Sequence, residues 1–112
     1  MNSKTVEQIQ KEIHEWVRDK GLKWSLYVQY IHLVEEIGEL GESLTVFQGD
    51  RKQGSGEKAL ADHGNVEEEI GDSLFAIISI ANELNLDIEK ILNETFIRYD
   101  LKMKKKGRHH SK

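Results

Sequence analysis

Cysteine and proline are both absent from this 112-residue chain, and each absence removes a class of protein. Without cysteine there is no disulfide scaffold, no thiolate metal site and no cysteine nucleophile, so any metal must be held by oxygen or imidazole. Without proline, nothing forces a helix to break. Long apolar runs are missing too. The longest, Leu74 to Ala81 with Ser79 inside it, falls well short of the ~20 residues that cross a bilayer. Met1 to Gln10 carry no apolar block of the signal-peptide kind. Together these absences predict a soluble cytoplasmic protein of one domain, since domains cluster near about 100 to 150 residues.

What is present is charge, unevenly spread. The chain carries 16 Lys plus Arg against 20 Asp plus Glu, a net −4. Residues 98 to 112 hold seven basic residues (Arg98, Lys102, Lys104, Lys105, Lys106, Arg108, Lys112) against Asp100, which makes that stretch +6 and leaves −10 on the rest. An acidic body holding cations beside a basic tail gripping a polyanion suits nucleotide and metal chemistry, whereas a merely solvated tail is the plainer reading. The expected division is a helical domain over 1–104 and a basic, disordered tail over 105–112.

Four segments have helical periodicity, and none reads as a strand, so the fold class is all-α, a four-helix bundle. The first segment runs from an N-cap at Ser3 to Lys20, with Val6, Ile9, Ile13, Trp16 and Val17 on one face and Gly21 as the stop. The second starts near Ser25 and reaches about Gln48, its stripe formed by Leu26, Tyr30, Leu33, Ile37, Leu40, Leu44 and Phe47. Residues 49–64 read as a glycine-rich loop, with a helical turn expected at 57–62. The third segment opens with Asn65 as N-cap and extends to about Leu84, and its LFAIISIA half is apolar nearly all round. Covering such a helix on every side requires a second copy of the chain, so an oligomer is expected. The fourth begins at Asp87, with Ile88, Ile91, Leu92, Thr95, Phe96, Tyr99 and Met103 as its inner side.

Two of these helices place acids one turn apart: Glu36 with Glu39 in LVEEIGELGE, and Glu69 with Asp72 in EEEIGD. Like charges at that spacing repel by a few tenths of a kcal/mol, a cost that a cation between them would remove. At ~100° per residue from a stripe centred on Leu33 and Leu40, Glu36 falls about 60° away, Glu39 about 120° and Glu35 about 160°. From a stripe on Ile70, Ile77 and Leu84, Glu69 falls about 100° away and Asp72 about 160°. Antiparallel packing would bring the acids together at one rim of the bundle. Oxygen ligands without sulfur suit a hard cation, Mg²⁺ or Mn²⁺. Gly38, Gly41 and Gly71 interrupt the two helices at about 1 kcal/mol each, which predicts close approach by something. A solvated helix face is the competing reading of the acids.

The EExxE of LVEEIGELGE followed about thirty residues later by the ExxD of EEEIGDSLFAII resembles the paired signature of the MazG-like nucleotide pyrophosphohydrolases, within the all-α NTP pyrophosphatase superfamily. The resemblance extends from about Trp16 to Lys102. It implies a homodimer or homotetramer that uses Mg²⁺, with Mn²⁺ as a possible substitute, to split a nucleoside triphosphate between the α and β phosphates into a monophosphate and pyrophosphate, in the service of nucleotide-pool house-cleaning. Residue by residue, it implies that Glu36, Glu39, Glu69 and Asp72 hold the metal, that Glu35 positions or deprotonates the attacking water, and that Arg98 and Lys102 grip phosphate. The chain departs from the pattern at Phe96, Ile97, Arg98 and Tyr99. There, many relatives have an Asn, then Lys two residues later and an aromatic. Arg98 keeps the charge and Tyr99 the ring, but the Asn is missing. For the base, Trp16, Trp24, Tyr27 and Tyr30 offer stacking faces, Trp24 just ahead of the second helix foremost, with His14 a lesser candidate and His32 a neighbour of the acids.

Two other classes are weighed. A di-iron carboxylate bundle needs Glu-x-x-His pairs, and no Glu here has His three residues later. A non-enzymatic helical module could use the basic tail to bind nucleic acid or a protein partner, but a body at −10 repels a duplex. The expected partner is therefore a nucleotide, not nucleic acid and not a membrane.

Overall fold

The computed structural model describes residues 3–48 and 63–110, and every regular element in them is helical: α1 (Val6–Asp19), α2 (Leu26–Phe47), α3 (His63–Glu83) and α4 (Ile88–His110). Residues 49–62, including the anticipated turn at 57–62, lie outside the described residues.

Local chemistry sets the ends. α1 is capped by Thr5 rather than Ser3, because Thr5 has Gln8 three residues on. The Thr5 hydroxyl accepts from Gln8 N–H at 3.1 Å and the Gln8 side chain accepts from Thr5 N–H at 2.7 Å, a reciprocal box that Ser3 with Val6 cannot form. Gly21 ends α1 with φ +69°, and its neighbour Leu22 donates back to Val17 O. Ser25 caps α2 through Val28 N–H. The expected cap Asn65 lies within α3, inside the helix rather than at its start. α3 closes on Asn85 at φ 58°, with Leu86 N–H donating to Ala81 O at 2.9 Å. Asp87 caps α4 by accepting from Lys90 N–H. The basic run then continues the helix as far as His110.

α3 is the central helix. α2 lies antiparallel along one side of it, with Gln29 near Glu83 at one end and Glu36 near Glu69 and Asp72 further along. α1 lies along another side, with Trp16 edge-on to Phe75 (5.8 Å between centroids) and Gln10 bonded to Asn82. The start of α4 meets α1, where Glu89 accepts from Glu7 N–H and Gln10 accepts from Ile88 N–H.

The buried faces differ from the expected stripes. On α3 the covered positions are Ser73, Ala76 and Ala81, while Ile70, Ile77 and Leu84 are exposed. On α2, Leu33, Glu36, Leu40, Ser43 and Val46 turn inward, while Ile37 and Leu44 stay exposed. On α3 the most covered positions carry small side chains, while several of its larger apolar ones are exposed. The same holds for α4, whose expected inner residues Leu92, Phe96, Tyr99 and Met103 face solvent, Phe96 at 73%. Val46, Ala76 and Ala81 are the buried apolar residues among those described, and no large side chain is fully enclosed.

Candidate metal centre and adjoining cavity

The acids straddle the edge of the α2 and α3 contact, with Glu36 and Glu69 half-buried and Glu39 and Asp72 exposed. Glu36 occupies the middle of the inward face of α2, and Glu69 heads the row that continues through Ser73 and Ala76, spacings of four and three that keep one helix face. One carboxylate oxygen from each of Glu36, Glu69 and Asp72 lies within 4.8 Å of the other two. Glu39, one turn beyond Glu36, is exposed but close enough to act electrostatically on both Glu36 and Glu69. Antiparallel packing thus gathers Glu36, Glu69 and Asp72 of the two sequence motifs, with Glu39 close by.

Their surroundings disfavour charge. Burial pushes the Glu36 carboxyl above its ordinary range, and the neighbouring Glu39 and Asp72 push it further, against a smaller opposing pull from His32. Glu69 is raised in the same way, first by burial and then by Glu39, Asp72 and Glu36. Glu36 Oε1, Glu69 Oε1 and the Ser73 hydroxyl are buried with no hydrogen-bond partner among the described residues. Such atoms are costly unless something satisfies them. A divalent cation fits this donor set: it would accept the orphaned oxygens, cancel the mutual repulsion and find the hard ligands it prefers.

Glu35 is placed apart from this group. Its side chain is 67% exposed, with Oε1 3.9 Å from His32 Nδ1. Arg98, Tyr99 and Lys102 lie exposed on α4, whose contacts are with α1, and a single protomer does not bring them to the acids. Arg98 instead stacks over its neighbour Tyr99. Gly38, Gly41 and Gly71 meet no close approach within the chain, since a Cβ at any of them would have nothing within 4 Å.

Beside the acids opens a cavity of about 520 Å³, within the size range of small-molecule sites. α1 contributes His14 and Val17, the following turn Leu22 and Trp24, α2 Gln29 and His32, and α3 Phe75, Ser79 and Asn82. Trp24 and His14 both line this cavity. Tyr27 and Tyr30 are exposed elsewhere on α2. Sequence reasoning missed Phe75, Gln29 and Asn82. Phe75 sits in an apolar run where core and cavity residues look alike, and the two amides had no motif to mark them.

A family model of the MazG nucleotide pyrophosphohydrolase domain matches residues 27–110. YpjD of Bacillus subtilis strain 168 is 30% identical over 105 residues, which cover 93% of this chain and 91% of that one. Among solved structures, the chain is similar to the Bacillus-conserved MazG protein, a nucleotide pyrophosphohydrolase, with 30% identity, a TM-score of 0.71, and 88% of this chain and 93% of that one covered. It is similar also to YpjD of Bacillus subtilis, with 29% identity, a TM-score of 0.74, and 88% and 98% covered.

Proposed function

This chain belongs to the MazG nucleotide pyrophosphohydrolase family, and on that premise we propose that it hydrolyses nucleoside triphosphates between the α and β phosphates, releasing a monophosphate and pyrophosphate. The observation that carries the reading is the convergence of Glu36, Glu69 and Asp72 on one point beside a cavity that shares His32 with them. Mg²⁺ is the proposed cation, with Mn²⁺ as substitute, held by these three and Glu39. When bound it supplies positive charge to phosphate oxygens as charge develops on them.

The chain's own residues do the rest. Their buried, uncompensated carboxylate oxygens give the cation its site. Trp24 and Phe75 offer apolar faces for a base in the cavity, while His14, Gln29 and Asn82 present polar atoms around it. Glu35, next to Glu36 in the chain but outside the cluster, is the proposed carboxylate that orients the water and takes its proton. The water oxygen bonds to one phosphorus as the bridging oxygen leaves with the other. Arg98 and Lys102, with Tyr99, are proposed phosphate and sugar contacts delivered by a second copy of the chain, since their own protomer leaves them exposed.

The test is product analysis on a panel of ribo- and deoxyribonucleoside triphosphates with Mg²⁺. Pyrophosphate and monophosphate are expected, with loss of turnover on chelation and recovery on adding Mg²⁺ or Mn²⁺. Release of orthophosphate and a diphosphate, or no release from any triphosphate, would overturn the reading.

A further inference from the structure

The acids and the cavity are joined by one side chain, His32. It lies on α2 one turn ahead of Glu36, and its Nε2 is 3.2 Å from Glu36 Oε2. The same ring lines the cavity and meets Trp24 nearly edge-on, with centroids 5.6 Å apart and planes at 75°. The backbone that carries Trp24 is held in place. Gln29 donates to Trp24 O at 3.0 Å, and Ser25 caps the helix directly after Trp24. An edge-to-face contact with the indole restricts the plane of the imidazole, and the i,i+4 spacing restricts its reach.

The consequence falls on Glu36. Its carboxylate has two distinguishable oxygens: Oε2 faces His32, while Oε1 is buried with no partner. Glu36 is 14% exposed and surrounded by like charges from Glu39 and Asp72. Left alone, that repulsion would favour rotating the carboxylate away from its neighbours. Engaging Oε2 on the side of the cavity opposes such a rotation and leaves Oε1 to ligate.

We propose that His32 is a positioning residue for the metal centre: braced by Trp24, it holds Glu36 by Oε2 so that Oε1 is presented to the cation. The inference rests on the reading of the acids as a divalent-metal site, and it ties cation affinity to the wall of the cavity. It predicts that filling the cavity and loading the metal are coupled through one ring.

The experiment is Mn²⁺ binding to the full chain, measured by electron paramagnetic resonance without nucleotide. Wild type, His32→Ala and His32→Gln are compared, with circular dichroism and urea midpoints on each. Loss of a residue that orients a metal ligand typically costs ~10 to 100-fold in affinity, and that weakening is expected for His32→Ala. His32→Gln keeps an N–H at similar reach and should recover most of it. In turnover, the apparent Mn²⁺ requirement should rise more than kcat at saturating metal falls. His32→Ala binding Mn²⁺ as tightly as wild type overturns the proposal. So does equal weakening in both variants that tracks a fall in urea midpoint, which would mark a structural role. A wild type that binds no Mn²⁺ removes the inference and the metal reading together. Mn²⁺ binding with the expected His32 pattern but without pyrophosphate release upholds the inference and defeats only the proposed activity.

Discussion

Glu69 shows how one side chain can be placed for a ligand at the expense of the fold. Its carboxyl is raised by burial and by four acidic neighbours, so the folded state binds a proton more tightly than the unfolded chain does. From the ordinary value of 4.5 upward, the unfolded chain releases that proton first, and stability falls as pH rises through the raised value. Glu36 adds the same dependence. Thermal melts of metal-free protein should therefore show these two residues contributing most below the ordinary carboxylate range and least at neutral pH. Added Mg²⁺ or Mn²⁺ should raise the midpoint more at neutral than at acidic pH, because protonation competes with the cation. Glu69→Gln should melt a few degrees above wild type without metal and gain nothing when metal is added. For turnover, Glu39→Gln and Asp72→Asn should each lose at least ~100-fold, the scale of removing a group that organises transition-state charge, with the helical circular dichroism signal unchanged. These four acids were legible from spacing alone, since EExxE and ExxD put them on helix faces. The partial burial of Glu36 and Glu69 was not, because it depends on which face the other helix covers.

At the scale of elements, the stripes of large apolar residues predicted helices correctly but pointed to the wrong contact. Periodicity locates a face, and it does not say what covers it. Ile70, Ile77 and Leu84 outweigh Glu69, Ser73 and Ala76 on any hydropathy count, yet the second row is the more covered one. A second contact was invisible because it is polar. Gln10 on α1, 8% exposed, donates through Nε2 to Asn82 Oδ1 at 2.9 Å and to Leu86 O at 2.7 Å. Its Oε1 accepts from Ile88 N–H at 2.9 Å, and Asn82 Nδ2 donates to Gln10 O at 3.2 Å. One amide thereby ties α1 to the end of α3 and the start of α4, in a stretch that reads as an ordinary exposed helix. Gln10→Ala should destabilise the chain by about 1 to 3 kcal/mol, since it deletes several bonds made by a buried amide to partly buried partners, and urea unfolding monitored by circular dichroism measures this. Glu12→Ala on the same helix, which removes an exposed pair with Lys4, should cost within about 0.5 kcal/mol.

For the whole molecule, the open question is what covers the apolar surface. Tyr27, Leu92, Phe96 and Met103 are all more than half exposed, and a single protomer encloses only small apolar residues among those described. Isolated exposed apolar residues are ordinary, whereas rows of them along two long helices mark a contact surface. Light scattering should accordingly give a mass at least twice the 12.9 kDa of one chain. Phe96→Asp should shift the species toward monomer, weakening assembly by about 30-fold or more if Phe96 acts as a central aromatic anchor. Turnover should fall with it, because Arg98, Tyr99 and Lys102 share that helix. Helix number, helix identity and the four acids followed from the order of residues, because periodicity, capping and i,i+3 spacing are local properties written along the chain. Which face is buried, how the acids come within reach of one another, and the cavity that His32 shares with them arise only when α3 is placed between α1 and α2. Those outcomes depend on contacts between residues far apart in the chain, which no local pattern records.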